Sequence, residues 1–420
     1  MPESDIVDII IIGAGPAGLF CAIHCCKDRT CRVLVLEKMN AAGRKLLLSG
    51  SGSCNITHSG KIKDFEHRYG NNGRFLRHAF SGFSNIDMVN YLNSNGIHTI
   101  ETENGKIFPG SMKAREILDL LMSKCTDPGV EILYGHAVQN VQCKGGKFRV
   151  RASDRIFEST YCVITTGGLS YPGTGSSGEG LTLAENLGHK VTDTTPALTP
   201  VTVITAADAL TPGTKSLPDL SGITIKNTSA TLYRNNRKVT AYTGDLLFTH
   251  TGLSGPVILD MSRYIQTGDT VAVSLIQGTY ESFEEEFILN SRKEGKRAIR
   301  NLLHSAGIPE RIVQMILDTS SIPHDKKSSE ISREERKKLA SLVTAFPFIV
   351  ISKDDYNMAM ATHGGVSLEE INMRTMESKI MPGLFFAGEV MDIDGDTGGY
   401  NLQAAFSTGK LAGDTIRSKI

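Results

Sequence analysis

Residues 5–18 read DIVDIIIIGAGPAG, and this stretch decides the fold. A run of isoleucines, with Val7 beside it, has the pattern of a strand buried on both faces of a parallel sheet. Gly13, Gly15 and Gly18 follow at once in G-x-G-x-x-G spacing. Ala17, Leu19, Ala22, Ile23 and Cys26 then predict a helix, and CRVLVLE (31–37) predicts a second strand ending at Glu37. In such a unit the first glycine permits a tight turn, the second lets backbone approach a pyrophosphate, and the third lets helix and strand pack closely. Unpaired N–H groups at the helix start face the phosphates. Glu37 can accept both ribose hydroxyls and would repel a 2′-phosphate. The expected ligand therefore carries an ADP-ribose half, as FAD and NAD both do, and this stretch alone leaves the choice between them open.

Working outward, AAGRKLLLSGSGSCNIT (41–57) is a glycine- and serine-rich loop, long enough to wrap a polar cofactor, with Arg44 and Lys45 as adjacent cations. Residues 72–95 and 114–124 read as helical. Residues 130–150 read as a strand and hairpin around a Gly-Gly turn, and Tyr161–Thr166 as a return to the parallel sheet. From about Thr192 the chain becomes strand-like and rich in Thr and Asn; from Phe283 to Lys338 it becomes polar and helical. GLFFAGEVMDIDGDTGGYNLQAAFSTG (383–409) then restores a buried strand, a glycine turn and a last helix.

The expected fold class is α/β, a Rossmann-like dinucleotide-binding domain built from both chain ends, with an inserted β-barrel-like domain and a small helical domain. The expected boundaries are 1–191 for the first part of the binding domain and 192–280 for the β-rich part. The helical insertion takes 281–343, the β-rich return 344–361, and the C-terminal part of the binding domain 362–420.

Composition narrows the function. Lys plus Arg equals Asp plus Glu at 45 each among 420 residues, with no arginine-rich segment, so no nucleic-acid partner is expected. The apolar run at the start is short and broken by glycines, so neither a signal peptide nor a membrane span is expected. Eight scattered cysteines without C-x-x-C fit a reducing cytoplasm and no metal knuckle. The loop holding Asp392, Asp394 and Asp396 lacks the closing glutamate of an EF-hand, so no metal site is expected; it reads as a turn into the last helix.

The quoted motifs, together with TTGGLSYPGTGSSGEG (165–180), LLFTHTGLSGP (246–256) and ATHGGVSLEEINMRTMESKIMPGLFFAGEV (361–390), resemble the HI0933-like flavoproteins over nearly the whole chain. The resemblance implies FAD as cofactor. It implies that Gly13, Ala14, Gly15 and Ala17 wrap the pyrophosphate, and that Glu37, with Lys38 beside it, holds the adenosine ribose. Arg44, Lys45 and Ser49 would line the ribityl and isoalloxazine side, and Val138 would present backbone to the adenine. Thr166 and Gly167 would close over the adenosine half. Gly388 and Glu389 would lie by the ribityl chain, and Gly399, Asn401 and Leu402 would meet the flavin ring. One departure is Ser53, where the family commonly has arginine, and it bears on substrate choice.

The expected activity is an FAD-dependent reductase passing a hydride from NAD(P)H through flavin N5 to a small unsaturated organic acceptor. NADH or NADPH would dock transiently, because no second complete G-x-G-x-x-G unit is present. The alternatives are a flavin amine oxidase that makes peroxide, or a non-enzymatic FAD-containing binding or sensor protein. His58, His250, His363 and Tyr400 are candidate proton donors. Cys54 is a thiol in the cofactor loop, which a cationic setting would activate but whose simplest role is packing.

Overall fold

The computed structural model describes residues 5–27, 31–126, 129–205 and 217–420. Two compact units emerge: residues 1–197 with 356–420, and residues 198–355.

The first unit is organised by β1 (Ile9–Ile12), whose four side chains are at most 4% exposed. Each isoleucine taken from water contributes about 1.5–3 kcal/mol. Helix α1 (Pro16–Cys25) follows, then β2 (Val33–Glu37), α2 (Ala114–Thr126), β3 (Glu131–Tyr134), β4 (Tyr161–Ile164), β5 (Leu384–Phe386) and α3 (Tyr400–Arg417). The five strands form one parallel sheet in the order β5-β4-β1-β2-β3. Ile11 lies opposite Val35 on one side and Val163 on the other, and Val163 pairs onward with Phe385. Read from the other edge the order is 3-2-1-4-5. It reverses between β1 and β4, the switch point at which doubly wound sheets bind ligands.

The crossover between β3 and β4 is a set of antiparallel strands, Val138–Lys144, Lys147–Ala152 and Arg155–Ser159, instead of a helix. The helical stretch expected over 72–95 is broken. It ends at Gly82, and a new helix, Asn85–Ser94, starts where the Ser84 side chain accepts the Asp87 N–H in a capping box. The pair Thr195–Ala197 and Ala361–His363 is antiparallel and belongs to this unit.

In the second unit six strands close into a barrel. Taken around it they are Val201–Thr205, Gly252–Ser254, Arg237–Phe248, Thr224–Arg234, Thr270–Val273 and Phe346–Lys353. Phe283, Ile312, Ile316 and Leu339 from the helices share one apolar cluster with Val271, Phe346 and Phe348 from the strands. Each helix has an apolar stripe, and the barrel strands provide part of the surface that covers it.

Candidate functional site

The turn after β1 has the geometry of a dinucleotide cradle. Gly13 has φ +105°, and a Cβ there would lie 2.8 Å from the Thr165 carbonyl oxygen. At Gly18 a Cβ would come within 2.0 Å of the Gly13 carbonyl oxygen and 2.6 Å of Thr165 Oγ1, so only glycine lets α1 approach so closely. Gly15 differs. It precedes α1 with φ −81° and ψ −178°, and a Cβ there would meet nothing within 4 Å. No side chain caps this helix, so its first N–H groups are left for another acceptor. Open space in front of an uncapped helix start, behind a glycine, fits a pyrophosphate.

Glu37 at the end of β2 binds the turn directly. Its Oε2 accepts the Ala14 N–H at 2.9 Å and its Oε1 accepts the Met39 N–H at 2.8 Å. A carboxylate has about four acceptor positions, so capacity remains for ribose hydroxyls. Thr165 at the end of β4 donates to the carbonyls of Ile12 (3.0 Å) and Gly13 (2.9 Å), joining the two strands at the switch point. Gly388 after β5 has φ +76°, and its Cβ position lies 2.9 Å from Ala17 Cβ. A Cβ at Gly409 of α3 would lie 2.4 Å from the Ala17 carbonyl oxygen. Glycines on three segments therefore bring α1, α3 and the β5 turn together. Gly399, φ +92°, begins α3, again without a side-chain cap, and a Cβ there would lie 2.6 Å from the Thr57 carbonyl oxygen.

Lys45 and Glu389, expected separately, form a half-buried ion pair at 2.6 Å. Ser170, fully buried, donates to Glu389 Oε1 at 2.7 Å and also meets the Lys45 ammonium; the Thr362 N–H donates to the same oxygen at 2.9 Å. Thr362 Oγ1 in turn accepts the Leu169 N–H at 2.8 Å. Sequence reading missed Thr165, Ser170 and Thr362, although all three lie within or beside glycine motifs it had quoted.

The other expected residues are placed as follows. Lys38 pairs with Glu179 at 2.5 Å, and Arg44 Nη1 is 3.5 Å from Asn40 Oδ1. Ser49 donates to the Leu46 carbonyl at 2.6 Å. Val138 begins an antiparallel strand opposite Ala152. Thr166 Oγ1 is 3.4 Å from the Gly167 carbonyl, and Gly167 has φ +73°. The Asn401 amide exchanges two bonds with the Gly395 backbone, at 2.7 and 2.9 Å, and Leu402 packs half-buried against the core. Burial pushes the Cys54 thiol up to about 12, so this cysteine is a packed apolar group, not an activated thiolate.

A cavity of about 550 Å³ lies in the second unit, lined by Lys226, Phe283 and Glu286 among others, and none of the expected cofactor residues lines it. Among the described residues no helix is long and apolar enough to cross a membrane.

The family model described as the HI0933-like protein Rossmann domain matches residues 7–415. The chain belongs to this family. Its members are FAD-dependent oxidoreductases, and this chain is one. It is 32% identical over 419 residues, 98% of both chains, to a ribosomal RNA dihydrouridine synthase of Escherichia coli K12. It is 27% identical to a 3-dehydro-bile acid delta(4,6)-reductase of Clostridium scindens, covering 96% of this chain and 97% of that protein. Among solved structures, a 3-ketosteroid-delta4-(5alpha)-dehydrogenase from Rhodococcus jostii RHA1 shares the fold. The TM-score is 0.52 at 15% identity, over 99% of this chain and 98% of that one.

Proposed function

We propose that this HI0933-like protein is a reductase of a carbon–carbon double bond conjugated to a carbonyl, and that the acceptor to test first is a uracil ring within RNA. The observation that carries the cofactor half is the cradle at Gly15, with open space before an uncapped helix start and Glu37 fixed beside it. Bound FAD, once reduced by NADH or NADPH, supplies a hydride. Gly13, Ala14, Gly15 and Ala17 would hold its pyrophosphate, and Glu37 its ribose. Lys45 and Glu389 would serve the ribityl side, and Gly399, Asn401 and Leu402 the ring.

The acceptor class is supported by two relatives whose names describe one kind of change. Dihydrouridine is uridine with two hydrogens added, and a delta(4,6)-reductase adds hydrogen at unsaturated positions of a ring system. RNA is favoured by the 32% relative and by local charge. Residues 61–78 hold five Lys or Arg against two Asp or Glu, in a chain whose total is zero, and all five cations are exposed. This segment packs on the site, since Asn72 Nδ2 donates to the Asp392 carbonyl at 2.7 Å and Tyr69 Oη to the Tyr400 carbonyl at 2.7 Å.

The test is an anaerobic visible spectrum before and after NADH or NADPH, followed by unmodified ribosomal RNA or a conjugated 3-ketosteroid. Bleaching by a nicotinamide and return of colour with RNA support the proposal. Return of colour with the steroid alone replaces RNA by a small acceptor. Bleaching by amines, with peroxide formed in air, overturns the reductase.

A further inference from the structure

One of the candidate proton donors, His363, forms a histidine–carboxylate pair beside the Glu389 cluster. His363 ends the short strand Ala361–His363, directly after Thr362, whose N–H is bonded to Glu389. Its Nδ1 lies 2.8 Å from Asp394 Oδ1, on the loop that leads from Glu389 to α3. The two segments run side by side, with Val366 bridged in parallel to Met391. The Asp394 side chain is 4% exposed, whereas the imidazole is 39% exposed, so the ring is the water-accessible end of the pair.

A buried carboxylate on one ring nitrogen fixes the tautomer. Nδ1 carries the hydrogen that Asp394 accepts, and the proton that can be given up or regained sits on Nε2. A second carboxyl, Asp392, interacts with the same ring through its charge. Burial pushes the Asp392 carboxyl up, while the His363 charge pulls it down.

The other candidates lack this arrangement. His58 is stacked on Tyr400, ring centroids 5.1 Å apart, with Nδ1 2.9 Å from the Ser59 carbonyl oxygen. Tyr400 is itself 4% exposed.

We propose that His363 is the catalytic acid that delivers the proton to the α-carbon of the conjugated acceptor, and that Asp394 is the positioning residue that holds its ring. This rests on the reductase reading above. In the step the acceptor's β-carbon receives the hydride from the reduced flavin. The π-electron pair of the double bond forms the new C–H bond at the α-carbon as the His363 Nε2–H bond breaks. The acceptor gains one hydride and one proton, the flavin is oxidised, and neutral His363 regains its proton from water at its exposed edge. In a uracil the α-carbon is C5 and the β-carbon C6.

The experiment compares FAD-loaded wild type, His363→Gln and Asp394→Asn. After anaerobic reduction with dithionite, reoxidation is timed with ferricyanide, which needs no proton at carbon, and with the conjugated acceptor. For His363→Gln, ferricyanide reoxidation at the wild-type rate establishes folding and flavin loading. Acceptor-dependent reoxidation should fall about 10²- to 10⁴-fold, the usual contribution of a positioned general acid, and added imidazole should restore part of it. Long-range nitrogen–proton NMR of ¹⁵N-histidine protein should show the Nδ1–H tautomer for neutral His363, lost in Asp394→Asn. Acceptor reoxidation undiminished in His363→Gln, or an Nε2–H tautomer in neutral wild type, overturns the assignment and leaves the reductase reading intact. Wild-type reduced protein that no conjugated acceptor reoxidises overturns both.

Discussion

Gly15 and Gly18 lie three residues apart in one motif, yet alanine should do opposite things at the two positions. At Gly18 a helix interior ordinarily gains about 0.5–1 kcal/mol from glycine to alanine. Here the added methyl carbon would sit 2.0 Å from a backbone oxygen and 2.6 Å from Thr165 Oγ1, when ordinary contacts begin near 3.4 Å. Backbone must shift by more than an ångström, and overpacking of this kind costs about 1–3 kcal/mol or more. The expected net effect on flavin-free protein is a loss of stability. At Gly15 the same methyl meets nothing, and φ −81° suits alanine, so flavin-free stability should hold within about 0.5 kcal/mol. What it should lose is the ligand. A methyl in the pyrophosphate's path displaces about one charge-assisted hydrogen bond, roughly 1.5–3 kcal/mol, or about 10- to 100-fold in FAD affinity. Urea unfolding of the stripped proteins and fluorescence titration with FAD separate the two. Gly15→Ala binding FAD as tightly as wild type would refute a pyrophosphate at this helix start. Gly18→Ala as stable as wild type would refute the close approach of α1 to β1 and β4.

Glu389→Gln keeps the shape but leaves Lys45 without its counter-ion, so stability should drop by about 1–3 kcal/mol in denaturant unfolding; an unchanged midpoint would mean the half-buried pair contributes nothing. Asp414 on α3 is half-buried, which by itself would raise its carboxyl, but hydrogen bonds from His24 and Lys410 hold it well below the usual range. A depressed carboxyl stabilises the fold above its unfolded value near 4 and loses that contribution as pH falls towards the folded value. Asp414→Asn should therefore flatten the decline in melting temperature below about pH 4. Burial lowers His24 on α1, so its neutral form adds stability above about pH 6.5 that also fades in acid. Of the eight cysteines only Cys143 is exposed, so native protein should take up one equivalent of iodoacetamide quickly; rapid alkylation of Cys54 would contradict its burial.

The parts legible in the sequence are those written locally. Four consecutive isoleucines and three spaced glycines fit within residues 9–18, and they suffice for strand, turn and helix start because each signal acts on its own neighbours. The glycines at 388, 399 and 409 are equally visible, but what they approach is not. Ala17 and Thr57 are hundreds of positions away, and a positive φ or a missing Cβ does not say which surface comes close. Polar pairs are harder still. Lys45 meets Glu389 across 344 positions, Ser170 sits in an irregular segment, and the strand that carries Thr362 spans only Ala361–His363, too short for periodicity to mark which side chain turns inward. For Cys54 the sequence shows neighbours along the chain but not the burial that sets a thiol's proton affinity. The helices after Phe283 show their apolar stripes plainly, yet a stripe does not say that a barrel strand covers it.

Charge behaves the same way. A net charge is a sum over the chain, whereas a polyanion responds to density within about one Debye length, roughly 8–10 Å. A total of zero therefore coexists with a net of three positive charges over residues 61–78, packed on the loop that carries Asp392 and leads into α3. If phosphates are held there, acceptor-dependent reoxidation with RNA should weaken steeply between 50 and 200 mM salt, about one power of salt concentration per phosphate engaged. Neutralising Lys61, Lys63 and Arg74 together should lower that slope by up to about three while leaving FAD affinity unchanged. A slope that stays the same would place the RNA elsewhere on the molecule.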